Sequence, residues 1–142
     1  MAQQINIFID NITGKLQAIT DVLFKNDINI RAMTIQDKGE YGLMKLLVDN
    51  PNKANIALVD KGYAAALKDV LAIVIDDKPG GLHRLTTVFL DNGVNILDSY
   101  GFVVESSKKA IWCVEVEDIG SIEEIVKREG FDILKDRELY EL

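Results

Sequence analysis

Residues 7–30 read IFIDNITGKLQAITDVLFKNDINI, and residues 73–96 read IVIDDKPGGLHRLTTVFLDNGVNI. Placed one above the other without a gap, the two stretches share isoleucines, an aspartate, a glycine, a leucine, a threonine, a valine and two asparagines. The offset between them is 66 positions (residue 7 over residue 73). Self-similarity at a fixed period indicates a repeated structural unit. We therefore expect one small fold to occur twice in this chain.

The remainder of each repeat also aligns, at an offset of 68 positions (residue 42 over residue 110). Residues 42–44 lie over residues 110–112, and Gly62 lies over Gly130. The two additional residues of the second repeat fall near residues 106–109, whose Ser and Lys side chains are typical of a turn, where insertions are tolerated. The sequence therefore predicts two domains, residues 1–69 and residues 70–142.

The first half of each repeat predicts a strand followed by a helix. Isoleucines at positions 5, 7 and 9 alternate with other residues, as in a half-buried strand. Leu16, Ile19 and Leu23 recur at helical spacing over residues 14–25. In the second repeat the apolar residues change in the same way from the alternation of a strand to the spacing of a helix, so both repeats are expected to begin with a strand and a helix.

The second half of each repeat predicts two strands, a helix and a last strand. Strands over residues 28–36 and 41–48 are joined by a hairpin turn. Asp49 or Asn50 can cap the second helix, and Gly62 can end it before a strand at residues 63–68. In the second repeat, Ser121 is expected to open that helix with a capping box. The predicted fold class is α+β: two ferredoxin-like βαββαβ units side by side, with antiparallel sheets and both helices on one face.

One strand is apolar on both faces. Residues 70–75 carry only apolar side chains, and Phe8 and Leu47 are expected to point away from the helices. A strand of this kind requires cover on both faces. A second copy of the chain is the simplest cover, which predicts a homodimer in which Leu47 and Cys113 lose exposure on assembly. The alternative is that the other repeat supplies the cover within one chain.

Composition and charge exclude several classes of protein. The formal net charge is −7 and no run of basic residues stands out, which disfavours nucleic acid and anionic membranes as partners. No signal-peptide pattern opens the sequence, and no apolar stretch approaches the roughly 20 residues of a membrane helix. The single cysteine excludes an internal disulfide and a cysteine-built metal cluster. A cytoplasmic protein without a cofactor is expected.

Two glycines occupy the turn from the first strand into the first helix of each repeat. Gly14 and Gly80 allow unusual backbone dihedrals and close approach of a ligand to the backbone. The free N–H groups that follow, together with the helix dipole, form an anion site that suits a carboxylate. Leu16 and Leu82 are expected to anchor the helix in the core and so hold this site in place.

The run DKPGGLHRLTTVFLDNGVNI, residues 77–96, resembles the signature of ACT domains, the small amino-acid-binding regulatory modules of amino-acid metabolism. The first repeat carries the same pattern, with Thr13-Gly14 in place of Pro79-Gly80. The resemblance covers the whole chain twice and is greatest to stand-alone proteins that consist of two ACT domains.

The resemblance implies that a free amino acid binds where the turn of one module faces the second strand of its neighbour. The family's loop Asn corresponds to Asn11, whereas the second repeat has Asp77, a departure by which the two sites differ in charge. The family's strand Asn corresponds to Asn29 and Asn95. Arg31, Asp98, Ser99 and Tyr100 follow and are expected to read the ligand side chain. The site residues implied are Asn11, Thr13, Gly14, Lys15, Leu16, Asn29, Ile30 and Arg31 in the first repeat and Asp77, Pro79, Gly80, Gly81, Leu82, Asn95, Ile96 and Leu97 in the second.

Catalytic and metal sites are not expected. His83 is the only histidine, and no Ser or Cys near it has the third partner that a catalytic triad requires. Cys113 fits an apolar position of a strand. Asp76 and Asp77 supply too few ligands for a metal ion. The function expected is that of a sensor or regulator, not an enzyme, acting with an unidentified enzyme or regulator as partner. The alternatives are a protein-interaction module or a small enzyme on the same scaffold.

Overall fold

The computed structural model describes residues 1–10 and 12–142 and divides the chain into two compact units. The first unit comprises Gln3–Lys68 with Glu141, and the second comprises Asp69–Tyr140 with Met1–Ala2 and Leu142. The elements of the first unit are β1 (Ala2–Ile9), α1 (Lys15–Lys25), β2 (Ile30–Asp37), β3 (Gly42–Val48), α2 (Pro51–Asp60) and the start of β4 (Ala64–Asp76). The second unit continues with the rest of β4 and with α3 (Gly81–Asp91), β5 (Asp98–Glu105), β6 (Lys109–Glu115), α4 (Ile119–Arg128), β7 (Ile133–Leu134) and α5 (Asp136–Tyr140).

In the first unit the strands lie in the order β2-β3-β1-β4. β3 runs antiparallel to both of its neighbours, with Met44 opposite Ile7 of β1 and Ile35 of β2. Because side chains alternate along a strand, Ile5, Ile7 and Ile9 share one face, and the two helices cover it. The buried core on that face consists of Ile5, Ile7, Ile9, Ile19, Val22, Leu23, Ile28, Met44, Leu46, Val48, Ala54 and Leu58.

The second unit repeats this arrangement in the order β5-β6-β4-β7. Trp112 of β6 pairs with Ile73 of β4 and stacks on Phe89 of α3, with ring centroids 5.9 Å apart. The closing strand β7 has only two residues, and Ile133 pairs with Ile73. The expectation of two ferredoxin-like βαββαβ units with antiparallel sheets is confirmed. The helix α5 after the last strand was not predicted.

The predicted N-terminal cap is present in α2 but not in α4. The side chain of Asn50 accepts a hydrogen bond from the N–H of Lys53, and Pro51 is the first residue of α2, as predicted. The capping box at Ser121 was wrong. The cap of α4 is Asp118, whose carboxylate accepts hydrogen bonds from the Ser121 hydroxyl (2.7 Å) and N–H (3.1 Å), so Ser121 lies inside the helix. These two bonds, the hydroxyl bond foremost, hold the pKa of Asp118 below its ordinary value.

Val70, Leu71, Ala72 and Ile73 of the apolar strand are buried. Val70, Ala72 and Leu47 are at most 1% exposed, and Cys113 is 1% exposed. The expectation that Leu47 and Cys113 lose exposure on dimerisation was therefore wrong, because neither has exposed surface to lose. Among the described residues, no helix is long and apolar enough to cross a bilayer.

Candidate functional site

The two glycine turns have the same backbone conformation. Gly14 has φ 90° and ψ −12°, and Gly80 has φ 88° and ψ −10°. Both lie in the left-handed region, which side chains other than glycine adopt at a cost. A Cβ atom built on either glycine would meet no heavy atom within 4 Å. The space above each glycine is open, so the turns require glycine for its dihedrals while leaving room for a ligand.

Three backbone hydrogen bonds build each turn, and they recur at the offset of 66. In the first turn the N–H groups of Ile12, Lys15 and Ala18 donate to the carbonyls of Asp10 (2.9 Å), Ile12 (3.2 Å) and Gly14 (3.0 Å). In the second turn the N–H groups of Lys78, Gly81 and Arg84 donate to the carbonyls of Asp76, Lys78 and Gly80, each at 3.0 Å. Each turn thus satisfies the first N–H of its helix.

The next two N–H groups of each helix remain without an acceptor among the described residues. They belong to Leu16 and Gln17 in α1 and to Leu82 and His83 in α3. No side chain of residues 1–10 or 12–142 caps either helix at its start. Paired free donors at the positive end of a helix dipole favour an anion such as a carboxylate.

Leu16 and Leu82 do not anchor their helices, contrary to expectation. They are 39% and 41% exposed and lie in the first turn, beside the free N–H groups. The first turn of each helix lies beyond the part that packs on the core, so the buried large apolar side chains occur further along the helix. They are Ile19, Val22 and Leu23 in α1 and Leu85 and Phe89 in α3. Leu16 and Leu82 instead give each turn an apolar flank.

The two turns differ at the first helical residue. A Cβ on Gly81 would stand 2.0 Å from the carbonyl oxygen of Asp76, so the second turn lies tight against the end of β4. The equivalent residue of the first repeat is Lys15, which is half-buried. The first helical residue is therefore cationic in the first repeat only, whereas the second turn has its lysine, Lys78, two residues before Gly80.

Asp77 already has a structural partner. Its carboxylate accepts a hydrogen bond from the N–H of Ser107 (2.6 Å), and its own N–H donates to the carbonyl of Lys108 (3.2 Å). These bonds join the second turn to the β5–β6 hairpin. The prediction that Asp77 receives a ligand ammonium is untested, and one of its oxygens is engaged. The matching prediction for Asn11 lies outside the described residues.

The two strand asparagines are exposed and lie just before their strands. Asn29 precedes β2, and its backbone is fixed by hydrogen bonds to Asp49 at 3.0 and 3.1 Å. Asn95 lies three residues before Asp98, the first residue of β5, so Asn95, Ile96 and Leu97 are on the approach to the strand. Leu97 is 53% exposed and donates its N–H to Glu115 (2.9 Å). Ile30 and Arg31 lie on β2 itself. Whether these residues complete a site with a turn stays a prediction.

A cavity that the sequence did not reveal lies beside the first turn. Its volume is about 300 Å³. It is lined by Phe8, Ile9, Asp10, Lys15, Tyr41, Gly62, Tyr63 and Ala64. Of these only Lys15 was a predicted site residue. The others come from the end of β1 and from the starts of β3 and β4 with the residues just before them, and the pairing of β1 with β3 brings Phe8 and Tyr41 together, with ring centroids 5.7 Å apart.

The side chains with catalytic potential include Cys113, Tyr100 and His83. Burial is the main cause that raises the pKa of the Cys113 thiol, to about 12, although the hydroxyl of Tyr100 donates to its sulfur and opposes the shift. Burial also raises the pKa of Tyr100, with a smaller contribution from Cys113. Both groups are thus neutral near pH 7, when a nucleophile would need the thiolate. His83 is exposed. Among residues 1–10 and 12–142, no group of three or more His, Cys, Asp or Glu side chains could hold a metal ion.

Two ferredoxin-like units in tandem, each with a left-handed glycine at the start of its first helix, define the class of paired ACT modules. Comparison with protein families agrees: residues 1–142 match the family described as ACT domain pair. The chain belongs to this family. The match covers the pair as a whole, so the boundary expected between residues 69 and 70 stays a prediction.

Several solved structures are similar to this chain. A protein from Bacteroides thetaiotaomicron is 30% identical, with a TM-score of 0.92 over 99% of this chain and 96% of that one. The regulatory subunit of aspartate kinase from Thermus thermophilus, in its ligand-free form, is 17% identical, with a TM-score of 0.65 over 90% and 92% of the two chains. The corresponding subunit from Thermus flavus is 15% identical, with a TM-score of 0.61 over 89% and 88%. The Thermus proteins show the shared fold. No curated protein matches the sequence.

Proposed function

We propose that the chain is a regulatory protein that binds a free L-amino acid and has no catalytic activity of its own. The observation that carries the proposal is the pair of free N–H groups behind a left-handed glycine, present in both repeats with the same hydrogen bonds. The ligand's carboxylate would accept from these N–H groups. Its ammonium would be held by Asn29 or Asn95 and by Asn11 or Asp77, with the ligand lying between ACT modules, as the family resemblance implies.

Membership of the ACT domain pair family supports a regulatory role. The same fold serves as the regulatory subunit of aspartate kinase in two Thermus species, which is an analogy at the level of the fold. A regulator of this kind acts through a partner, so we propose an unidentified enzyme or regulator of amino-acid metabolism as its target. We further propose that it works in the cytoplasm, without a cofactor, nucleic acid or membrane.

A thermal-shift screen with the twenty amino acids tests the proposal. Because the ligand binds the folded state only, it should stabilise the protein by about 2.7 kcal/mol at one hundred times its dissociation constant. Gly14→Asp and Gly80→Asp should each abolish binding at their own turn, since the new carboxylate would occupy the place of the ligand's. Gly39→Asp is the matched control, because Gly39 has φ 91° and equally open space but lies at a hairpin.

The proposal fails if no amino acid at millimolar concentration stabilises the wild-type protein. It also fails if Gly39→Asp weakens binding as much as Gly80→Asp does, because the loss would then follow from backbone strain.

A protein-interaction role is the second candidate, and it includes the homodimer expected from the sequence. Phe24 near the end of α1 and Leu90 near the end of α3 occupy equivalent positions of the two repeats. They are 81% and 80% exposed. Large apolar side chains at this exposure favour contact with another protein surface. We propose that these positions, and not Leu47 or Cys113, take part in assembly.

A further inference from the structure

The cavity of the first unit lies where three strands meet the start of α1. Asp10 follows the end of β1, Tyr41 precedes β3, and Tyr63 precedes β4. Its volume of about 300 Å³ is at the lower end of the range, roughly 300–1,000 Å³, that is typical of small-molecule sites. A single metabolite of amino-acid size fits this volume.

Two opposite charges line this cavity without pairing with each other. Among the described residues, the carboxylate of Asp10 and the ammonium of Lys15 have no ion-pair partner and no side-chain hydrogen bond. Elsewhere in the chain, opposite charges at short spacing do pair, as Lys25 does with Asp21 at 2.9 Å. An unpaired anion and an unpaired cation in one cavity suit a ligand that carries both charges.

Aromatic rings form the apolar part of the lining. Phe8 and Tyr41 are tilted by 50° with centroids 5.7 Å apart, and Tyr63 is the third ring. Phe8 is 55% exposed and Tyr41 is 44% exposed, so both rings keep free surface. Offset-stacked or edge-to-face contact between aromatic rings adds binding free energy beyond that of the apolar area the rings bury.

We propose that this cavity is a second kind of ligand site, which binds a zwitterion with an aromatic side chain, of the class of the aromatic amino acids. Asp10 accepts hydrogen bonds from the ligand's ammonium, Lys15 donates to its carboxylate, and its ring packs against Phe8, Tyr41 and Tyr63. The site lies within the first unit. It shares Lys15 with the residues implied for the first turn, but its argument does not use the free N–H groups of the turns.

The second repeat supplies an internal control. It has a larger cavity, of about 690 Å³, lined at the equivalent positions by Val74, Lys109 and Phe131 in place of Phe8, Tyr41 and Tyr63. Gly81 stands where the first repeat has Lys15, and Asp76 stands where it has Asp10. Two of the three rings are therefore missing and the cations, Lys109 and Lys127, stand at other positions, so the second unit is not expected to bind the same ligand at this place.

Titration of the full-length ¹⁵N-labelled chain with L-phenylalanine tests the inference. We expect saturable shifts of the backbone amides of Phe8, Tyr41 and Tyr63. Asp10→Asn and Lys15→Met should each weaken binding at least tenfold, because each removes a charged hydrogen bond. Tyr41→Leu should also weaken it, and is preferred to a Tyr63 variant because Tyr63 packs against the core. Asp76→Asn is the matched control and should leave the affinity unchanged.

Ligand analogues separate the parts of the claim. Phenethylamine lacks the carboxylate, 3-phenylpropanoate lacks the ammonium and L-leucine lacks the ring, so each should bind at least tenfold more weakly than L-phenylalanine. The inference is overturned if the three amides do not shift at millimolar L-phenylalanine. It is also overturned if Asp10→Asn and Asp76→Asn have equal effects, or if any analogue binds as tightly. Shifts confined to Leu16, Gln17, Leu82 and His83 would support the turn sites and reject the cavity.

Discussion

Asp27 adopts a backbone conformation that glycine occupies at the equivalent places. The four helices α1 to α4 are each followed by a left-handed residue: Asp27 (φ 56°), Gly62 (φ 88°), Gly93 (φ 65°) and Gly130 (φ 86°). At each one the next residue donates its N–H back to the last turn, as Ile28 does to Leu23 (3.0 Å) and Val94 to Phe89 (2.9 Å). Asp27 alone carries a side chain in this motif, and a negative one near a helix C-terminus, where the dipole disfavours it.

Asp27→Gly should therefore stabilise the protein by about 0.5–1 kcal/mol, since relief of the left-handed strain exceeds the added flexibility of the unfolded chain. Urea denaturation at neutral pH measures the change. The reverse substitution in the other repeat, Gly93→Asp, should destabilise by a similar amount, because a Cβ there meets no neighbour within 4 Å and only the dihedral matters. Equal stability of Asp27→Gly and the wild type would show that Asp27 is not strained.

Cys113 makes the stability depend on pH in the alkaline range. Its folded-state pKa of about 12 lies above the ordinary thiol value of about 8.5. Between these values the unfolded chain loses the proton while the folded chain keeps it, so the unfolded state binds fewer protons and stability falls as pH rises. The slope from this group approaches about 1.4 kcal/mol per pH unit.

Denaturation of the wild type and of Cys113→Ala at several pH values measures this slope. Cys113→Ala should be less stable than the wild type at every pH. Between pH 8.5 and 10 it should lose less stability than the wild type does. Tyr100 adds little in this range, because the ordinary pKa of tyrosine is about 10. Parallel curves for the two proteins would contradict the burial of the thiol.

At the scale of the elements, the start of α2 depends on a single side chain. Asn50 caps the helix with a 3.2 Å hydrogen bond from the N–H of Lys53. Asn50→Ala should destabilise the protein by about 1 kcal/mol, because that N–H then lacks its acceptor. Asn52→Ala is the control: Asn52 is exposed in the first turn of the same helix and makes no capping bond. If both variants lose the same stability in urea, the cap contributes nothing.

The order of the elements could be predicted from the sequence because hydrophobic periodicity and turn residues agree in both repeats. The cap of α4 could not, since both Asp118 and Ser121 are good capping residues and only the helix phase chooses between them. The exposure of Leu16 and Leu82 was missed for a related reason. Helical spacing identifies a face of the helix, whereas the sheet decides how far along the helix that face is covered.

At the scale of the whole molecule, the sequence reveals part of the candidate site and not the rest. The turn glycines are visible because they recur with fixed neighbours, and their left-handed dihedrals confirm the prediction that they require glycine. The engagement of Asp77 by Ser107 could not be foreseen, because the two residues are 30 positions apart and meet only through the hairpin. The cavity was missed since its rings come from strands whose register the sequence does not specify.

Substitution of the exposed apolar residues Phe24 and Leu90 tests whether they form the contact of a homodimer. Light scattering of the wild type should show a dimer, and Phe24→Ser combined with Leu90→Ser should shift the protein to the monomer without unfolding it, since neither side chain belongs to a core. A single-site control is Ile56→Ser, which replaces another exposed apolar residue, 63% exposed, on α2. A monomeric wild type at all concentrations would reject the homodimer, and a dimer that survives the double substitution would reject these positions as its contact.

The central claim is that the free N–H groups behind Gly14 and Gly80 hold the carboxylate of an amino acid, and amide proton shifts test it most directly. On saturation of the ¹⁵N-labelled chain with the amino acid that stabilises it, the amide protons of Leu16, Gln17, Leu82 and His83 should move downfield, as donors to a carboxylate do. In Gly80→Asp, the response to ligand should vanish at Leu82 and His83 and persist at Leu16 and Gln17. Tight binding of an amino acid that leaves all four amide protons unshifted would contradict the account.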